Sequence, residues 1–113
     1  MYKESRALHD RCSESRTMLN RFTDRLPVII EPRDTNTPRI DKRKYRAPKE
    51  LMTSQLIYVV RRRLKLRAEE AVFFFHGNRT LVSPSATVAD VYSRYADDDG
   101  FLYLTYSMEN TLG

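Results

Sequence analysis

Tryptophan is absent, and cysteine occurs once, as Cys12. A lone cysteine excludes an internal disulfide framework and fits a reducing compartment. Glycine appears three times and proline five, too few for collagen-like or low-complexity chains. No apolar run approaches the roughly 18 residues that a membrane span needs. The opening MYKESRALHDR has no apolar segment, so no secretory signal is expected and the expected setting is cytoplasmic. Catalytic signatures are missing as well: there is no GxSxG, no HExxH and no glycine-rich phosphate loop. His9 and His76 lie far apart without metal-ligand spacing, and His76 reads as a solvated turn residue. Cys12 lacks a partner base. Asp97, Asp98 and Asp99 lack the spacing of a calcium loop and read as a hydrated acidic loop. No catalytic residue, metal ligand or cofactor is therefore expected, and the chain does not read as an enzyme.

What is present fits one domain: 113 residues, with seven tyrosines and five phenylalanines as core bulk. The charge is uneven. Residues 1–67 carry 18 Lys/Arg against 8 Asp/Glu, whereas residues 68–113 carry 2 against 7. A basic first half suggests an anionic partner: nucleic acid, a membrane surface, acidic tails like those of tubulin, or acidic peptides. The alternative is that these charges solvate the surface.

The apolar spacing of Leu8, Cys12, Leu19 and Phe22 predicts a helix over 4–22, its stripe broken by Ser15. The β-branched run in DRLPVIIEP predicts a strand, with Pro27 at a strand start or sheet edge. RDTNTPRID reads as a loop and KYRAP as a second strand, completing a hairpin. Thr53 or Ser54 can cap a helix to about Leu66. AVFFFHGNRTLV predicts a strand, a turn at Gly77-Asn78 and a short strand at 80–82. Thr87 and Asp90 open a helix to about Tyr95. FLYLTYS (101–107) is apolar on both faces and predicts a central strand. A hairpin, a crossing helix and further strands suggest a β-grasp roll; the alternative is a ferredoxin-like sandwich. RRRLKLR (61–67) and the aromatic strand could hold single-stranded nucleic acid, but the RNA-binding strand signature is absent. Nucleic acid is thus not the expected ligand.

Several blocks in order, YKES at 2–5, DRLPVIIE at 24–31, DKRKYRAP at 41–48, LRAEEAVFFF at 66–75, SPSAT at 83–87 and FLYLTYS, resemble the GABARAP and light-chain-three family. These are the autophagy ubiquitin-like modifiers, and the resemblance covers nearly the whole chain. It implies an α+β fold: a helical extension over 1–23, a ubiquitin-like β-grasp with a mixed four-stranded sheet over a central helix at 24–107, and a flexible tail at 108–113. It implies conjugation through Gly113 to phosphatidylethanolamine of autophagosomal membranes, where the product is lipid-anchored. Activating and conjugating enzymes and a processing cysteine protease are the implied partners, with cargo receptors bearing acidic aromatic-x-x-aliphatic motifs, and tubulin as a further candidate. Carried over by motif, an aromatic pocket involves Glu14, Met18, Pro27, Ile29, Lys44 and Phe101. An aliphatic pocket involves Tyr45, Ala47, Pro48, Leu51, Leu56 and Val59, and Arg25, Lys42, Arg46 and Arg63 form a charged rim. Two departures stand out. Arg46 occupies the place of a bridging leucine, and Leu112 that of the aromatic before the terminal glycine. An unconjugated peptide- or microtubule-binding adaptor is the alternative within the family.

Overall fold

The computed structural model describes residues 1–77 and 80–110. The expected conjugation residue, Gly113, and Leu112 lie outside them. Two N-terminal helices, α1 (Tyr2–Ser5) and α2 (Leu8–Arg21), lead into strands β1 (Arg25–Pro32) and β2 (Lys44–Pro48). Helix α3 (Thr53–Leu64), strands β3 (Glu70–His76) and β4 (Thr80–Leu81), helix α4 (Val88–Tyr95) and strand β5 (Leu102–Asn110) follow. The sheet runs β2-β1-β5-β3-β4. β1 and β5 are parallel at its centre; the other pairings are antiparallel. The initial hairpin and parallel centre are those of a β-grasp, not of a ferredoxin-like sandwich.

Both faces of β1 are covered. Leu26, Val28 and Ile30 join Leu56 and Val60 of α3, Tyr45 and Ala47 of β2, and Leu102, Leu104 and Tyr106 of β5 in the main core. Ile29 points the other way and packs with Tyr2 and Phe101. The period-2 alternation of a strand thus divides the sheet into an α3 face and an α1/α2 face. Pro27 fits this plan. It opposes Arg46 on β2, while pairing with β5 begins only at Val28. Its missing N–H leaves no ladder bond unmade.

Several details differ from the sequence expectations. The N-terminal helix is two helices, broken where Arg6 and Ala7 are extended. The face of α2 that docks is polar: Arg11 and Ser15 are buried while Leu8 is 56% exposed. The residue that seemed to break the stripe is therefore the one in closest contact. Met52, not Thr53 or Ser54, occupies the N-cap position of α3, and its N–H donates to Gln55 Oε1 (2.9 Å). Thr53 is buried and its hydroxyl donates to the Ala86 carbonyl (2.8 Å). The helix stops at Leu64 because Lys65 adopts φ 55°. Thr87 does cap α4, accepting from the Asp90 N–H (3.1 Å). A fifth strand, the two-residue β4, borders β3, so the sheet has five strands where the resemblance implied four. β5 continues past residue 107 to Asn110, which pairs with Glu70; residues 108–110, expected in the tail, are thus strand. His76 ends β3 and stacks on Tyr95, with ring centroids 4.2 Å apart.

The acidic loop is the largest revision. Asp99 is buried, and its Oδ2 accepts from Arg11 (2.6 Å) and from the Tyr103 hydroxyl (2.5 Å). Its Oδ1 accepts from the Phe101 N–H (2.8 Å), and its carbonyl accepts from the Ser15 hydroxyl (2.5 Å). Lys3 pairs with Asp97 alongside (2.5 Å). Part of the basic N-terminal excess is thus spent on tying α1 and α2 to the acidic C-terminal loop.

Candidate peptide-binding groove

The edge of the sheet at β2 is open. The Ile30 N–H donates to the Arg43 carbonyl (2.7 Å). Antiparallel ladders alternate bonded and non-bonded pairs, so Tyr45 and Ala47 face β1 with their backbone groups, and Lys44 and Arg46 turn theirs outward. Pro48, with no N–H, closes this short edge. A strand offering unpaired backbone is a template for another chain, and Lys44, Arg46 and Pro48 are the residue types that keep such an edge from indiscriminate pairing.

Directly opposed residues share a sheet face. Lys44 opposes Ile29 and Arg46 opposes Pro27, so both lie on the α1/α2 face. Tyr45 opposes Val28 and Ala47 opposes Leu26, on the α3 face. A cavity of about 450 Å³ sits between α2 and β2. Of the six residues expected in an aromatic pocket, Glu14, Met18 and Lys44 line it. Pro27, Ile29 and Phe101 are fully buried and do not line it; Met18, which does, packs on the Ile29–Phe101 pair. Tyr2 packs on the same pair, edge-to-face with Phe101 at 5.5 Å. Its hydroxyl donates to Glu14 (2.7 Å), which also pairs with Lys44. Burial, reinforced by the Glu14 bond, pushes the Tyr2 hydroxyl up to about 12. Burial alone would raise the Glu14 carboxyl, but the Lys44 and Tyr2 hydrogen bonds hold it below its ordinary value.

The aliphatic set is less open. Ala47 and Leu56 are closed into the main core, Tyr45 is nearly so, and Leu51 and Val59 are half-buried against it. Pro48 is exposed at the end of the strand. Val59 instead borders a shallow hollow on α3 with Tyr58, Arg62 and Arg63. An apolar side chain can reach Leu51 and Val59 only over the outer rim. Of the expected charged rim, Arg25, Lys42 and Arg46 line the large cavity. Arg63 is turned aside and bonded to Asp41 (3.0 Å).

Sequence reasoning missed Arg21 and Phe22 at the end of α2, which also line the cavity. Phe22 looked like one more apolar helix position, and only the turn into β1 brings it beside Arg46. It missed Tyr2 too, although the YKES block drew attention to that stretch. Among the described residues, no group of three or more His, Cys, Asp or Glu is placed to hold a metal ion.

Comparison with known proteins agrees with this architecture. The family model described as autophagy protein Atg8, ubiquitin-like, matches residues 10–113. The chain is 46% identical over 113 residues to autophagy-related protein 8a of Arabidopsis thaliana, covering 99% of this chain and 92% of that protein. It is 40% identical over 114 residues to microtubule-associated protein 1 light chain 3 gamma of Homo sapiens, covering 99% and 78%. The crystal structure of Trypanosoma brucei ATG8 superposes with a TM-score of 0.89 at 38% identity, covering 99% of this chain and 97% of that one. With a family match over most of its length and a shared ubiquitin-like fold, the chain belongs to the Atg8 family of ubiquitin-like autophagy proteins.

Proposed function

We propose that the protein is an autophagy modifier with two linked activities: conjugation through Gly113 to phosphatidylethanolamine, and capture of extended aromatic-x-x-aliphatic peptides along β2. The observation that supports the second is the alternation along one open edge: Lys44 and Arg46 share the face of the α2 cavity, while Tyr45 and Ala47 lie on the α3 face. A peptide added as a strand alternates its side chains between the faces. An aromatic residue entering the α2 cavity therefore puts its aliphatic partner on the α3 face at an odd spacing, and a spacing of three, about 10 Å of strand, matches that from Lys44 to Ala47. Because the aromatic site lies at the Lys44 end, the peptide runs parallel to β2. Glu14 and Lys44 flank the aromatic ring, and Met18, a flexible side chain, moves aside to expose Ile29 and Phe101.

Family membership supports the conjugation half. The tail glycine, without a Cβ, suits threading into a narrow active site and presenting its carboxylate for activation. The two acyl chains of the product are enough for stable attachment. The protein would move between cytoplasm and autophagosomal membrane, as a substrate of activating, transfer and processing enzymes and as an adaptor for cargo receptors.

The lack of tryptophan in the chain makes the peptide activity simple to measure. A peptide carrying the only tryptophan in the mixture should shift its emission to the blue on binding, and replacing that residue by alanine should abolish binding. Equal binding of the two peptides would refute the groove. For conjugation, the protein is incubated with activating and transfer enzymes, ATP and phosphatidylethanolamine liposomes, then weighed intact. A lipid adduct that requires Gly113 is expected; none, with enzymes active on a relative, would refute it.

A further inference from the structure

The chain has five prolines, and two of them follow a hydroxyl residue, at Thr37-Pro38 and Ser83-Pro84. The two settings differ. Ser83-Pro84 is fastened to the start of α3 and to its own turn: the Pro84 carbonyl accepts from the Ser54 N–H (2.9 Å) and the Ser83 carbonyl from the Ala86 N–H (3.2 Å). Thr37-Pro38 lies in the stretch 33–43, which joins β1 to β2 without regular structure and is exposed at Asp34, Thr35, Asn36, Pro38 and Arg39. The Thr37 hydroxyl donates to Asp34 Oδ1 (2.9 Å), which also accepts from the Asn36 and Thr37 N–H groups (3.0 Å each). That hydroxyl bond is exposed to solvent, and it is the first cause that holds the Asp34 carboxyl below its ordinary value. Thr37 and Asp34 also line a hollow of about 350 Å³ with Glu70 of β3 and Glu109 of β5.

We propose that Thr37 is a phosphorylation site for a proline-directed protein kinase, and that the phosphate opens the Asp34 turn. The proline biases the residue before it towards extended backbone, the form in which such an enzyme takes its substrate. In the transfer, the bond between the γ-phosphorus of ATP and its bridging oxygen breaks, and that phosphorus bonds to Thr37 Oγ1. The hydroxyl proton passes to a base of the kinase, and ADP leaves with the electron pair. The product has lost the proton that Asp34 accepted and carries about two negative charges near neutral pH. Asp34, Glu70 and Glu109 then face a like charge in one hollow. Arg33 and Arg39, which flank the turn in sequence, are the nearby cations that can pair with the phosphate instead. The turn therefore gives way, and the loop between β1 and β2 is released beside the end of β5.

The test incubates the folded protein with ATP and a purified mitogen-activated protein kinase, beside a short Thr-Pro peptide as positive control. Intact mass should rise by one phosphate, and fragment masses should place it on Thr37. Thr37→Val removes the acceptor with little change of shape, and uptake should be lost. Pro38→Ala keeps the acceptor and removes the directing proline, and uptake should fall sharply. In the phosphorylated protein the Asn36 and Thr37 amides should exchange about tenfold faster, the scale of a lost hydrogen bond to a charged group. Phosphate on Ser83 instead, no uptake while the control peptide is modified, or uptake undiminished in Pro38→Ala would each overturn the site. Phosphate on Thr37 with unchanged exchange at Asn36 and Thr37 would overturn the opening of the turn.

Discussion

Removing the carboxylate of Asp99 should do more damage than any surface charge change in the chain. Its side chain is wholly buried and bonded to Arg11, Tyr103 and the Phe101 N–H. Asp99→Ala strips the Arg11 guanidinium, at the buried face of α2, of its hydrogen-bonded carboxylate and leaves Asp97 to act on it only at longer range. Breaking a buried pair by removing one partner costs about 3–5 kcal/mol, a large part of the roughly 5–15 kcal/mol that holds a domain together. The melting temperature should fall by roughly 10–20 °C for a domain of this length. Urea unfolding followed by far-ultraviolet circular dichroism and tyrosine emission gives both quantities. Most of the cost is assigned to the stranded cation, so Arg11→Met in the Asp99→Ala background should restore part of the loss. A cost below about 1 kcal/mol for Asp99→Ala, or a double variant no better than the single one, would refute this reasoning. The effect should reach the groove, because α2 carries Glu14 and Met18 and rests on this latch.

Other consequences can be checked in parallel. Gly100 has φ +91°, and a Cβ there would run into Ser15 Oγ; Gly100→Ala should cost about 1–3 kcal/mol in backbone strain plus the clash, measured by the same unfolding curves. Glu14 is held below its ordinary carboxylate value, so it contributes stability above the unfolded value that is lost as pH falls through the folded one. Stability should decline there less steeply in Glu14→Gln than in the parent. Tyr2 and Tyr45 are both pushed up to about 12, mainly by burial. An unfolded tyrosine ionises near 10, so their contribution is complete below that pH and is lost as pH rises from about 10 through 12. Burial raises Tyr92, Tyr103 and Tyr106 as well, so ultraviolet titration of the native protein should show five tyrosines that ionise late, and alkaline unfolding should coincide with their ionisation.

Strands and the crossing helix were legible because their signals are local. Val28 and Ile30 are β-branched, β5 is apolar on both faces, and Thr87 caps α4 through a neighbour three residues on. The β2 strand, Lys44–Pro48, falls where KYRAP predicted it. The latch was not legible. Arg11, Ser15 and Asp99 are residue types found in solvent, and 84 and 88 residues separate Asp99 from its α2 partners. No periodicity reports a polar face that docks on a distant loop. The candidate groove was legible as a set of residues through family resemblance, but its state was not. Spacing could not show that Ala47 and Leu56 are closed into the core, that Tyr2 packs on the Ile29–Phe101 pair, or that Arg63 is engaged by Asp41 while Arg21 joins the cavity.

The most direct test of the groove is amide hydrogen exchange, read residue by residue by nuclear magnetic resonance, with and without a saturating tryptophan-x-x-leucine peptide. The Arg46 N–H, and with it that of Lys44, points away from β1 and should exchange quickly in the unbound protein, then become protected when the peptide adds its strand. The Tyr45 and Ala47 amides, already bonded to β1, should change little. Protection confined to the arginine-rich end of α3, with Lys44 and Arg46 unchanged, would contradict strand addition at β2.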